Sequence, residues 1–268
     1  MKRRTALEIP YSIRNIIGDR PYSVDCVGMS DAQVICFEDM VLKIGPEREE
    51  SVNEFRMMEW LAGRLPVPEV LSYVCQDGRC YLLMSRIDGV MACDGQMLEQ
   101  PKRLVKLLAE GLRMLWTVDI SHCPSDNRLD RKLKCAEARV LNGLCSIEDA
   151  EPDTYGPGGF ESPKQLLRWL KEHKPVEDPV FSHGDYCLPN VFFKDGKVNG
   201  FIDLGRSGIG GRYQDIALCC RSLQHNTAGC YGGKVYDEAF DLSAFFEELQ
   251  MKPDYDKVKY YILLDELF

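Results

Sequence analysis

The stretch FSHGDYCLPNVFFKDGKVNGFIDLG, residues 181–205, sets His183, Asp185, Asn190 and Asp203 around short apolar runs and two glycine turns. The runs PNVFFKDG and KVNGFIDLG meet at Asp195-Gly196, a dipeptide suited to a tight β-hairpin. A hairpin keeps its strands adjacent, so Asn190, just before one strand, approaches Asp203 at the far end of the other. A carboxylate and a carboxamide oxygen are hard donors, the kind that suit Mg2+ bridging nucleotide phosphates. Asp185 precedes Asn190 by five residues on the same loop, placed to meet a substrate hydroxyl. One acid aligning a hydroxyl while Asn and Asp hold metal is the division of labour in phosphoryl transfer. A lone Asp before a strand is ordinarily a turn former. The spacing Asp-x4-Asn, followed by an apolar run ending in Asp-Leu-Gly, is what carries the reading further. His183 reads as a buried, hydrogen-bonded loop anchor, not as a base.

Outward from this stretch the chain divides in two. YSVDCVG, AQVICFE and MVLKI, between residues 22 and 44, are strand-like, separated by turns at GMSD and ED. EESVNEFRMMEWLAGRL follows as a helix that PVPEV stops. EVLSYVCQD and RCYLLMS then form a hairpin about Asp77-Gly78, completing a five-stranded, mostly antiparallel sheet with one helix. From about residue 94, PKRLVKLLAEGLRMLWTVD, PKQLLRWLKEH, YQDIALCCRSLQ, FDLSAFFEELQ and YDKVKYYILLDEL have helical periodicity, and the hairpin of residues 189–205 supplies the only strand candidates. Residues 85–92 read as a hinge between units 1–92 and 93–268.

The 268 residues suffice for two lobes sharing a cleft. A net charge of −9 argues against nucleic acid or an anionic membrane as the main partner and suits a cationic small substrate. Twelve cysteines show neither CxxC nor Cys/His ligand spacing, so they are expected as reduced thiols in a cytoplasmic protein. The opening MKRRTALEIPYSIRN lacks the apolar run of a signal peptide, and no segment is long and apolar enough to span a membrane.

Protein kinases carry His-Arg-Asp, an Asn five residues after that Asp, and then Asp-Phe-Gly. Here Gly184 replaces the Arg and the second motif is Asp-Leu-Gly. The variant HGDxxxxN…GFIDLGRSG…YQDIA resembles the aminoglycoside phosphotransferase family, most closely its 3′-phosphotransferases, and with VLKI, IDGV and the closing YYILLDELF the likeness spans nearly the whole chain. The resemblance implies an α+β, bilobal protein-kinase-like fold with a mainly helical C-terminal lobe. It also implies transfer of the γ-phosphoryl group of ATP to the 3′-hydroxyl of aminoglycoside antibiotics, conferring resistance, with two Mg2+ ions. Asp185 would then align the hydroxyl, and Asn190 and Asp203 would hold metal. Lys43 would contact the α- and β-phosphates with Glu54 as its partner. Met29 and Ser30 in GMSD would cap the phosphates, and Met84, Ser85 and Ile87 would line the adenine hinge. Asp215 would brace the catalytic loop.

Helical spacing places Glu54 on the face of Met57, Met58 and Leu61, where a buried acid needs a cation. Glu59 shares a face with Val52 and Phe55, so pattern leaves both acids open. On the substrate side, residues 145–161 carry only acids among their charges. The resemblance assigns Glu151 and Asp153 there to the drug, together with Arg206, Asp265, Glu266 and the terminal carboxylate of Phe268. The last three would concentrate uncompensated negative charge at the end of a helix. One departure stands out: His225 occupies a position where relatives carry an acid, and the Gly-rich stretch NTAGCYGGKV follows it. Rival readings are another small-molecule kinase of the same fold, acting on a macrolide, a choline-like amine or a sugar, and a non-catalytic nucleotide-binding regulator. A protein kinase is disfavoured because no Ala-Pro-Glu motif is present. The protein is expected to be a monomer or a weak dimer.

Overall fold

The computed structural model describes residues 9–24, 32–231, 233–236 and 242–268; Met29 and Ser30 therefore lie outside the described residues. The described residues start with a short helix α1 (Tyr11–Ile17), then β1 (Ser23–Val24), β2 (Gln33–Cys36), β3 (Met40–Pro46), α2 (Glu49–Leu61), β4 (Val70–Gln76) and β5 (Arg79–Ser85). The five strands form one antiparallel sheet in the order β1-β2-β3-β5-β4. Strand alternation sorts the two faces. Met40, Leu42, Ile44, Tyr81 and Leu83 pack with Ile13 and Ile17 of α1. Leu82 and Met84 join Met57, Met58 and Leu61 of α2 in the main core. Lys43, between Leu42 and Ile44, is thereby turned to the α2 side of the sheet.

The β4–β5 turn has Asp77 at φ 53° and Gly78 at φ 71°, the double positive-φ geometry of a two-residue hairpin. Cys75 and Cys80 sit directly opposite each other across it, 4.2 Å apart at Cα, and form a disulfide. This corrects the expectation of thiols throughout. A Cys-x4-Cys spacing carries no pairing signal until the register of the hairpin is known.

The chain then adds β6 (Val90–Met91), α3 (Gly95–Leu98), α4 (Pro101–Trp116), α5 (Leu129–Leu141), α6 (Pro163–Glu172), β7 (Pro179–Ser182), β8 (Val191–Lys194), β9 (Lys197–Phe201), β10 (Gly208–Gly211), α7 (Arg212–Thr227), α8 (Leu242–Leu249) and α9 (Tyr255–Asp265). β6 pairs with the β8–β9 hairpin, and β7 pairs with β10. The strands β7 and β10 and the helices α1 and α5 correct the simpler sequence reading. β10 reads GIGG and has almost no side chains to alternate. The buried residues of α5, Leu129, Leu133, Ala136 and Val140, hide among charges. Among the described residues no helix is long and apolar enough to cross a membrane.

α4 runs through the centre of this lobe, packed against β7, β8, β9, α7 and α8. Gly111 in its middle allows a close approach: a Cβ there would lie 2.1 Å from the Tyr186 hydroxyl. That hydroxyl donates to the Leu108 carbonyl at 2.9 Å, which anchors the loop after β7 to the core.

Candidate active site

The loop 183–190 is held from beneath by α7. Asp215, in the first turn of that helix and fully buried, accepts from Ser182 Oγ (3.0 Å), His183 N–H (2.9 Å) and Gly184 N–H (2.9 Å). Burial pushes its carboxyl above the usual range, partly offset by His183 and by these donors. Ser222 Oγ, two turns further along the same face of α7, accepts from Leu188 N–H at 3.0 Å. Gly184 takes φ +81°, and a Cβ at that position would stand 1.9 Å from the Arg206 carbonyl oxygen. No side chain fits there, so the Arg of the kinase motif has no counterpart in this loop. His183 is fully buried, with Nε2 2.9 Å from the Ile202 carbonyl oxygen, a strut between loop and hairpin.

Asn190 Nδ2 donates to Asp185 at both the backbone oxygen (2.9 Å) and Oδ2 (3.1 Å). Its backbone oxygen accepts from Ile202 N–H at 3.0 Å, which brings Asn190 beside Asp203. Asp203 adopts φ 60°, ψ 57°, the left-handed conformation that Asp tolerates better than most residues. Its Oδ1 lies 2.8 Å from Lys43 Nζ, and Glu54 Oε2 lies 2.9 Å from the same nitrogen. Glu59 is exposed, so the acid beside Lys43 is Glu54. Burial alone would lower Lys43, but the Glu54 and Asp203 carboxylates more than offset it and hold the ammonium above its ordinary value. Burial works against the Asp203 carboxylate, yet Lys43 pulls it below the usual range. For Glu54 burial wins, and its carboxyl is raised despite Lys43.

At the end of β5, Ser85 N–H donates to the Glu69 carbonyl (2.9 Å) and its Oγ accepts from Glu69 N–H (2.8 Å). Met84 is buried in β5, and the Ile87 side chain covers Gly200 of β9.

The acidic C-terminus is compensated internally, which corrects the expectation of bare negative charge. Asp265 pairs with Arg221 and, at 3.2 Å, with Arg206 Nη1, whose Nε reaches Glu50 of α2 at 3.2 Å. Arg221 also approaches Glu151 and Glu266, each at 3.9 Å. Arg139 donates to the Leu267 carbonyl at 2.7 Å and to Phe268 O. Glu151 completes the cluster through His225 Nε2 at 3.1 Å, while Asp153 is exposed and has no ion pair among the described residues. The motifs of the sequence do not single out Arg221. The available signal was an arginine on a helix whose other residues, from Tyr213 to Leu223, are buried, since such a charge needs partners. Burial lowers the ammonium of Lys132, on α5, to about 8, with Asp265 opposing the shift.

Burial pushes Glu266 from 4.5 up to about 7, with Glu151 and Asp265 adding to the effect and Arg221 opposing it. Between those values the folded chain holds a proton that the unfolded chain has released. The resulting stabilisation is complete below the lower value and disappears as pH rises through the upper one. Glu266→Gln is therefore expected to gain stability relative to the parent between about pH 5 and about pH 8, read as the difference of urea midpoints. An unchanged difference would show that Glu266 titrates normally.

Residues 30–259 match the model of the phosphotransferase enzyme family. An aminoglycoside 3′-phosphotransferase of Enterococcus faecalis is 43% identical over 256 residues, covering 91% of this chain and 92% of the relative. One of Niallia circulans is 38% identical, covering 97% of each. The crystal structure of aminoglycoside-3′-phosphotransferase of type VIII superposes with a TM-score of 0.80 at 26% identity, over 96% of this chain and 97% of that one.

Proposed function

The chain belongs to the aminoglycoside phosphotransferase family, and from that premise we propose that it transfers the γ-phosphoryl group of ATP to the 3′-hydroxyl of aminoglycosides, conferring resistance to them. The observation that carries the proposal is the joining of two clusters through the hairpin. Lys43, Glu54 and Asp203 form one, and Asp185 with Asn190 forms the other. Asp185 accepts a hydrogen bond from the substrate hydroxyl and aligns its oxygen on the γ-phosphorus. In a loose transition state that alignment matters more than early proton removal. Lys43, kept charged by its two carboxylates, binds the α- and β-phosphates. Backbone groups of residues 84–87 meet the adenine, and Met29 and Ser30 cap the phosphates.

The residues present fit Mg2+. Asn190 engages Asp185 through its nitrogen, which leaves Oδ1 for a metal, and Asp203 engages Lys43 through Oδ1, which leaves Oδ2. Two protein oxygens suffice for an ion that completes its shell with phosphate and water. Bound there, as two ions, Mg2+ would supply neutralisation of phosphate charge. At the drug end, ammonium groups exchange for Arg206, Arg221 and Arg139 around Glu151, Asp265, Glu266 and Phe268, and Asp153 adds a carboxylate with no cation to give up among the described residues. Acceptance of a polycation is thus an exchange of cations, which favours a drug over a neutral sugar.

Kanamycin and its 3′-deoxy analogue tobramycin separate this regiochemistry from others. With ATP and Mg2+, kanamycin is expected to release ADP and tobramycin is not. Rapid turnover of tobramycin would move the acceptor to another hydroxyl.

A further inference from the structure

Cys187 stands between Asp185 and Asn190, and nothing in the roles assigned above uses it. Its N–H donates to the Asp185 carbonyl at 2.8 Å, and its carbonyl accepts from Asn190 N–H at 3.0 Å, so the loop closes around its side chain. Its Sγ lies 3.0 Å from Asp185 Oδ1, while Asn190 Nδ2 lies 3.1 Å from Oδ2. Each carboxylate oxygen is thus held by a different donor. Only the protonated thiol makes the sulfur contact attractive, because a thiolate would set two anions side by side. A thiol of ordinary acidity is protonated at neutral pH, so the sulfur donates.

We propose that Cys187 is a positioning residue for phosphoryl transfer: its S–H and the Asn190 amide together fix the plane of the Asp185 carboxylate. Each carboxylate oxygen offers about two acceptor sites. With one site on each taken by the loop, those left point out of it toward the hydroxyl. A carboxylate gripped at one oxygen alone rotates about its Cβ–Cγ bond, and a small misalignment at the attacking oxygen is enough to slow transfer. The proposal rests on the functional reading above and adds to it a residue that never touches substrate.

The test uses the full chain with ATP, Mg2+ and kanamycin, and compares Cys187→Ser, Cys187→Ala and Cys187→Val. Serine keeps a donor on nearly the same atom, alanine removes it, and valine removes it while refilling the space. Loss of a hydrogen bond to a charged group is expected to lower kcat about tenfold in the alanine and valine variants. Both KM values are expected to stay within about twofold, as for an interaction felt only in the transition state. Serine should recover most of kcat. Thermal unfolding of each variant accompanies the kinetics, and valine carries the test where alanine leaves the loop unfolded. Serine as slow as valine, or valine as fast as the parent, would make Cys187 a mere loop filler and overturn the proposal. A parent chain inactive toward aminoglycosides would instead remove the functional reading beneath it.

Discussion

Alanine at position 185 is expected to lower kcat for kanamycin at least about a hundredfold, the scale of a positioned acid or base, with KM for ATP nearly unchanged. The split follows from where the carboxylate sits. Among the described residues the Asp185 side chain hydrogen-bonds within its own loop, to Asn190 Nδ2 and Cys187 Sγ, and it takes no part in the Lys43–Glu54–Asp203 cluster. Alanine is the cleaner substitution. An amide would turn an NH2 group toward one of two donors and create a clash of its own, mixing a local rearrangement with the loss of the acid. The loop itself should survive, because Asp215, Ser222 and the Tyr186 hydroxyl hold it without help from residue 185. Steady-state kinetics with calorimetric titration of ATP reads both halves. A variant that keeps most of its turnover would remove Asp185 from the chemistry.

What the chain discloses before it is folded depends on how local the cause is. Both hairpins are legible because Asp-Gly at residues 77–78 and 195–196 supplies the positive φ values that a tight turn requires. The long helices are legible through their apolar spacing. Pattern alone leaves the partner of Lys43 open, because Glu54 and Glu59 each share a helical face with apolar residues; the family resemblance names Glu54, and the strand register of β3 turns Lys43 toward it. The strand β10 escapes because GIGG has no pattern to read, and its reason for existing is a neighbour, β7, far earlier in the chain. Most of the cationic half of the C-terminal cluster, all but the Arg206 that the resemblance assigns there, escapes for a related cause. Arg206, Arg221 and Arg139 come from three different elements, and only folding brings them to residues 265–268. The acids are contiguous in sequence, so they are visible, and their compensation is not.

Asp203→Asn is expected to abolish the Mg2+ dependence of ATP binding while leaving the fold in place. Asparagine is preferred to alanine here for a backbone reason. Asp203 sits at φ 60°, ψ 57°, where an ordinary L-residue is strained by roughly 1–2 kcal/mol, and Asn is among the few that tolerate it. An alanine variant would therefore confound metal loss with strain in the turn after β9. The amide preserves shape but removes the negative charge that draws a divalent cation, and it also removes one of the two carboxylates around Lys43. Glu54, 2.9 Å away on α2, remains to hold that lysine, so nucleotide affinity without metal should change little. Titrating ATP by calorimetry with and without Mg2+, on parent and variant, isolates the effect as a difference of differences. If the variant still binds ATP more tightly when Mg2+ is present, the free oxygen of Asp203 is not a metal ligand. The hairpin of residues 191–201 would then be only a structural support for the Asp185 loop.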